Sequence, residues 1–285
     1  MSENLFQQNI DPNSTSGLNN QENECMTYFR EIRNARLEPK TFVEKATQIK
    51  RLANKLNLHS NEELYDSILT GSLQSANELE NVLLRPKDAL FSGSGMFRHL
   101  SELILPDIIT HNKDTKSISF WVPGCRSGLE AYSIALFLNA QKKALSDWDL
   151  KLLATDTSNI GLKKAQTATI PVDDIDPVIN DLYGHGLKKV DDNYIIKEDV
   201  RKLVTFSNAS FFSPPSDRAL FDVIVFRNHL KFWIPEHQET IINVFASCLK
   251  PGGYLVLGNS EALMGLTKDF RPIHGVSGFY QFIKV

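Results

Sequence analysis

The stretch Val122-Pro-Gly124-Cys-Arg-Ser-Gly128-Leu-Glu130-Ala-Tyr-Ser133 decides the fold. The apolar run Ile118–Pro123 leads into it, and a helical pattern over Gly128–Lys143 leaves it. Strand, glycine-containing turn and helix in that order make the unit of open parallel sheets, whose ligands bind where the first strand ends. Gly124 and Gly128 would let the backbone approach a ligand closely, and Glu130 stands in the first helical turn. The spacing is not that of the dinucleotide G-x-G-x-x-G motif, and two glycines four apart also suit a plain strand-to-helix turn. The next strand, Lys151-Leu-Leu-Ala-Thr-Asp156-Thr-Ser158, ends on a carboxylate. There it can accept hydrogen bonds from both hydroxyls of a ribose, or it can cap the helix expected at Ile160–Gln166.

The same alternation continues on both sides. Further apolar runs occupy Phe221–Phe226 and Tyr254–Leu257, and helices are expected at Met96–Thr110 and Glu236–Leu249, the latter ended by Lys250-Pro-Gly-Gly253. Between them, residues 169–206 break the rhythm. Tyr194–Lys197 and Val204–Phe206 read as short strands around the Asp191-Asp-Asn193 turn, which predicts a small β-rich insertion. The closing Gly278–Val285 alternates polar and apolar residues and suits an antiparallel edge strand. The fold class is α/β, a doubly wound sheet.

Ahead of it, residues 1–25 are rich in Asn, Gln and Ser, carry no Lys or Arg, and are expected to form a disordered tail. Residues 26–86 predict a small helical domain, with Phe42, Ile49, Leu52 and Leu56 on one face, and residues 87–285 form the larger domain. Segment 26–60 holds eight Lys and Arg against three acids, a local charge of +5 that suits either an acidic partner or a solvated face. The whole chain of 285 residues carries −3, which argues against a protein held on nucleic acid by overall charge. Neither a membrane span of roughly 18 to 20 apolar residues nor a signal peptide is present, and a cytoplasmic protein is expected. Cys25, Cys125 and Cys248 lie far apart without metal-ligand spacing, so neither a disulfide framework nor a metal site is expected.

Six motifs in collinear order make residues 40–285 resemble the CheR-type methyltransferases that modify glutamates of bacterial chemotaxis receptors. That family has a small basic helical domain followed by segments like N-x-T-x-F-F-R, C-S-T-G-E-E-P-Y-S, A-T-D, R-N-x-x-I-Y-F, K-P-G-G and G-H-S-E. This chain has Ser92-Gly-Ser94-Gly-Met96-Phe97-Arg98, Cys125-Arg-Ser-Gly128-Leu-Glu130-Ala-Tyr132-Ser133 and Ala154-Thr-Asp156. It continues with Arg227-Asn228-His-Leu-Lys-Phe232-Trp233, Lys250-Pro-Gly-Gly253 and Gly258-Asn-Ser260-Glu261. The resemblance implies a class I S-adenosylmethionine-dependent methyltransferase fold, Rossmann-like with an antiparallel last strand.

It also implies site roles. Ser92, Ser94 and Arg98 would lie near the methionyl part of S-adenosylmethionine, with Arg98 holding a carboxylate through paired hydrogen bonds. Glu130 would meet the cofactor's ammonium and Asp156 its ribose. Asn208, Ser210 and Phe211 would lie beside the adenine, and Arg227 and Asn228 would face the pocket. S-adenosylhomocysteine would be the product, with no metal. The implied partner is the cytoplasmic helical domain of a chemoreceptor, met by basic residues such as Lys45, Lys50, Arg51 and Lys55 of a monomer. His99, His229 and His237 read as ordinary polar residues, because an ionised glutamate acceptor needs no general base. This chain departs from the family pattern around the reaction centre. Phe232 replaces a tyrosine, Ser92 and Ser94 replace Asn and Thr, Met96 replaces Phe, and Ser210 stands at the family's Asn position with Asn208 two residues before it. These departures leave open a catalytically weak or inactive cofactor-binding signalling protein, or a methyltransferase with another acceptor.

Overall fold

The structure, a computed structural model, describes residues 18–33, 35, 37–84, 89–93, 95–172, 175, 183–216, 220–263 and 265–284. Its contacts divide it into two compact units, with the boundary between Leu83 and Leu84 and with Ala35 belonging to the second.

The first unit is helical: α1 Asn20–Glu31, α2 Pro39–Lys55, α3 Asn61–Leu69 and α4 Leu73–Leu83. The tail expected through residue 25 runs too far into the chain. A capping box starts α1, with Asn19 Oδ1 accepting the Glu22 N–H and the Glu22 carboxylate accepting the Asn19 N–H, and Cys25, Met26 and Phe29 are buried. Polar composition hid a helix whose single apolar stripe emerges only in its second half. On α2, Phe42, Ile49 and Leu52 are buried as their spacing demands, and Phe42 meets Tyr65 of α3 edge to face. Leu56 falls at the C-cap and is half-buried.

In the second unit, among the described residues, a seven-stranded sheet is built from β1 Ser117–Pro123, β2 Asp149–Asp156, β6 Val204–Asn208, β7 Phe221–Phe226, β8 Leu249–Leu257, β9 Phe270–Pro272 and β10 Phe279–Phe282. Its order is β6-β2-β1-β7-β8-β10-β9, parallel up to β8 and antiparallel at β10 and β9. Alternate residues serve two cores, because side chains on a strand point to opposite faces. Phe120, Val122, Val223, Val225 and Val256 join one cluster with α7 Leu129–Ala140. Trp121, Ile224, Phe226, Leu255 and Leu257 join the other with α10 Pro235–Cys248. With both faces covered, β1 and β7 are nearly continuous apolar runs.

Four local expectations change. The helix expected over 96–110 forms as Gly95–His111 but is not uniform, with α5 Gly95–His99 and α6 Leu105–His111 joined by a wider helical turn at Leu100–Ile104. Pro106 has no N–H, its ring collides with the carbonyl four residues back, and the Leu105 N–H reaches five residues back to Leu100 O. Val204–Phe206 is not part of the insertion but the parallel edge strand β6 beside β2. The insertion is the separate sheet β3 Thr169–Pro171, β5 Asn193–Ile196 and β4 Leu187–Val190, whose hairpin turns at Asp191 with φ 50°. The last strand β10 is not at an edge, since β9 pairs outside it. Finally, Lys250-Pro-Gly-Gly253 is the irregular start of β8, where the pairing with β7 shifts register.

No helix among the described residues is long and apolar enough to cross a membrane.

Candidate functional site

Strand order reverses at β1, which has β2 on one side and β7 on the other, so a crevice opens at the carboxyl ends of these strands. The residues singled out at Gly124–Glu130, Asp156, Asn208 and Arg227–Asn228 all lie at such ends. In the turn after β1, Gly124, Arg126 and Gly128 have φ of 70°, 51° and 82°. Gly128 is fixed by space as well, since a Cβ there would sit 2.8 Å from Ala165 Cβ and 3.0 Å from the Phe206 ring. Its missing Cβ leaves room for α8 Asn159–Thr167 and β6.

Arg227 Nη1 donates to Glu130 Oε1 at 2.8 Å and to the Ser92 carbonyl at 2.7 Å. The Arg227 side chain is 9% exposed. The Ser92 segment is brought there by the Phe91 N–H, which donates to Ser133 Oγ on α7 at 2.7 Å, and by the Phe91 ring against Phe97. Gly93 has no room for a side chain, because a Cβ would collide with the Arg227 guanidinium. Glu130, expected to meet a ligand's ammonium, thus faces a guanidinium across the crevice. Arg98 is exposed on α5 and has no hydrogen-bond or ion-pair partner among the described residues. Ser94 lies outside the described residues.

Asp156 is buried, at 1% exposure. Its Oδ2 accepts the Arg126 N–H and its Oδ1 the Ser158 N–H, each at 2.8 Å, so the carboxylate ties the turn after β1 to the end of β2. The capping alternative for Asp156 is not what forms. Ser158 caps α8, its Oγ accepting the Gly161 N–H at 2.8 Å. Asn208 lies opposite Asp156 in register, and its amide donates to Thr157 O and Asn159 Oδ1. Ser210 Oγ accepts the Phe212 N–H. Phe211 is 7% exposed and packs against Phe226 and Trp233, within the second core.

Beyond β7, Asn228 takes the left-handed conformation with φ 60°. Phe232 is half-buried in the short turn Leu230–Phe232, with Lys231 Nζ 5.2 Å from its ring centre. His229 stacks on Phe226 and His237 packs on Phe212. A residue with no role expected from the sequence is Glu261. It is 6% exposed and receives the N–H groups of Asn228, Gly258 and Lys231. Its signal was the Gly258-Asn-Ser260-Glu261 motif itself. Among the described residues, no group of three or more His, Cys, Asp or Glu could hold a metal ion.

The CheR methyltransferase, SAM binding domain, family model matches residues 88–279, which include every crevice residue named above. A chemotaxis protein methyltransferase of Vibrio parahaemolyticus is 26% identical over 251 residues, covering 84% of this chain and 87% of that protein. One of Borreliella burgdorferi is 30% identical over 203 residues, 69% of this chain and 71% of the relative. An uncharacterised 104.1 kDa protein of Rhodobacter capsulatus is 26% identical over 226 residues, 77% of this chain, and the chain spans only 23% of that protein. With the match covering most of its length, the chain belongs to the CheR methyltransferase family.

Proposed function

We propose that this chain transfers the methyl group of S-adenosylmethionine to glutamate side chains in the cytoplasmic helical domain of a chemoreceptor. The observation that carries this reading is the pairing of Glu130 and Arg227 beside the buried Asp156, at the mouth of the reversed strand order. The donor set fits the cofactor. An amino-acid headgroup is a zwitterion, and Glu130 with Arg227 offers one charge of each sign 2.8 Å apart. Each Asp156 oxygen accepts a backbone N–H, and a carboxylate at the end of this strand is the group that meets a ribose in open parallel sheets.

When bound, the cofactor supplies an activated methyl group, so the protein's task is positioning. Glu130 and Arg227 would hold the methionyl end and Asp156 the ribose. Ser92 would lie along the approach, with Ser94 assigned there by the sequence motif alone, Asn208, Ser210 and Phe211 would flank the adenine side, and Arg98, exposed on α5, would take a carboxylate. A glutamate acceptor, with a reference pKa of about 4.3, is already ionised and requires no base. Lys50, Arg51 and Lys55 are exposed on α2 and Lys45 is half-buried, a set of basic residues suited to an acidic helical bundle. The protein would work in the cytoplasm as a monomer.

A second reading, a cofactor-binding signalling protein with little turnover, is favoured by Phe232, which offers an apolar ring and a neighbouring ammonium where the family has a hydroxyl. Calorimetric titration with S-adenosylmethionine and S-adenosylhomocysteine tests the cofactor site, and base-labile methyl incorporation into a receptor fragment tests the acceptor. Binding weakened about 100-fold in Asp156→Ala is expected, from two lost charge-assisted contacts. Absence of binding to either ligand by the wild-type protein sinks the enzymatic reading. Binding without methyl incorporation selects the second.

A further inference from the structure

We infer that Glu261 is a positioning residue for the cofactor site, setting the loop that carries Arg227, Asn228 and Phe232. The inference rests on the cofactor reading above. β7 and β8 are parallel neighbours with Phe226 opposite Leu257, so the residues that follow them, Arg227–Asn228 and Gly258, emerge side by side at the crevice. One buried carboxylate joins the two exits. Glu261 Oε2 accepts the Asn228 N–H at 2.7 Å and the Gly258 N–H at 2.8 Å, and Oε1 accepts the Lys231 N–H at 3.2 Å. The Glu261 N–H in turn donates to Gly258 O at 2.9 Å, which closes a tight turn behind the carboxylate.

Two features show that this arrangement is specified rather than incidental. Asn228 adopts φ 60°, a left-handed conformation that Asn reaches more readily than most residues with a Cβ, and its N–H reaches Glu261 in that conformation. Gly258 leaves space for Asn228, since a Cβ there would collide with Asn228 Oδ1. Without the carboxylate, the Asn228 and Gly258 N–H groups would lose their shared acceptor, and Asn228 would lose a hydrogen bond that favours its left-handed conformation. Relaxation there turns the backbone next to Arg227, whose guanidinium has to stay within 2.8 Å of Glu130. Glu261 therefore acts on the site through Asn228 and Arg227, without touching a ligand itself.

The test compares S-adenosylhomocysteine affinity by calorimetry in the full chain and in Glu261→Ala, Glu261→Asp and Glu261→Gln, with far-UV circular dichroism on each. Glu261→Ala is expected to weaken binding by about tenfold or more, and Glu261→Gln to recover most of it, because its carbonyl oxygen still accepts from Asn228 and Gly258. If Glu261→Ala does not fold, Glu261→Asp, one methylene too short to reach both loops, is read by the same criterion. Wild-type affinity in a folded Glu261→Ala or Glu261→Asp protein overturns the inference. So does a loss that merely follows the unfolded fraction. A wild-type chain that binds no S-adenosylhomocysteine overturns the cofactor reading itself, and the inference with it.

Discussion

At the scale of single residues, the site is made by carboxylates that hold backbone. Asp156 joins the ends of two strands, Glu261 joins the ends of two others, and Glu130 holds Arg227 across the gap. Charged acceptors make the stronger hydrogen bonds, so each of these carboxylates fixes a loop whose own sequence would permit several conformations. Phe232 stands where the family pattern has a tyrosine, and turnover can be tested there. Phe232→Tyr adds a hydroxyl on a half-buried ring already flanked by Lys231. If the missing hydroxyl is all that limits the enzyme, kcat on a receptor fragment should rise about tenfold with little change in cofactor affinity, as one orienting hydrogen bond is worth about 1 to 2 kcal/mol. An unchanged rate would place the limitation elsewhere.

At the scale of elements, the far end of the sheet carries a polar network that has no part in the proposed chemistry. Asp222, at the start of β7 and 4% exposed, accepts the Ser119 N–H at 2.7 Å, Ser119 Oγ at 2.8 Å, Asn112 Nδ2 at 2.7 Å and Lys250 Nζ at 2.8 and 2.9 Å. It thereby ties β7 to β1, to the end of α6 and to the irregular start of β8. Removing one partner of a buried pair leaves the others without an acceptor, so Asp222→Ala should cost about 3 kcal/mol of stability by urea denaturation. The proposed cofactor site lies at the opposite strand ends, so S-adenosylhomocysteine affinity at a temperature where the variant is folded should stay at the wild-type value. The wide turn at Leu100–Ile104 has a comparable local setting, since it immediately precedes Pro106, which has no N–H to donate.

At the scale of the whole molecule, buried acidic hydroxyl and thiol groups make the fold sensitive to alkali. Burial, with a smaller push from Glu22, moves the Cys25 thiol from its ordinary value near 9 up to about 12, and burial moves the Tyr132 hydroxyl up to about 12. Raised values mean that the folded state keeps protons the unfolded state has shed. Stability from these groups is therefore complete below about pH 9 and is lost as pH rises from there to about 12. Urea midpoints should fall between pH 8.5 and about 11, and Cys25→Ala should make that fall shallower. Far apart in the sequence, the strand runs, the glycine turn and Asp156 were legible because apolar period and turn chemistry are local properties. The motifs were legible for the same reason, and so were the positions they assign to Glu130, Arg227 and Asn228. Sequence by itself determined the α/β class and which residues stand at strand ends. Only the tertiary structure decided that Val204–Asn208 is an edge strand, that β10 is covered by β9, that Ser158 rather than Asp156 caps α8, and that Glu261 gathers three N–H groups. The strand pairings and the Asn228 and Lys231 contacts of Glu261 depend on which segments lie side by side once the chain is packed, and a partner tens of residues away leaves no mark on local pattern. At the start of α8 both Asp156 and Ser158 were sequence-permitted caps, and only the folded geometry chose between them.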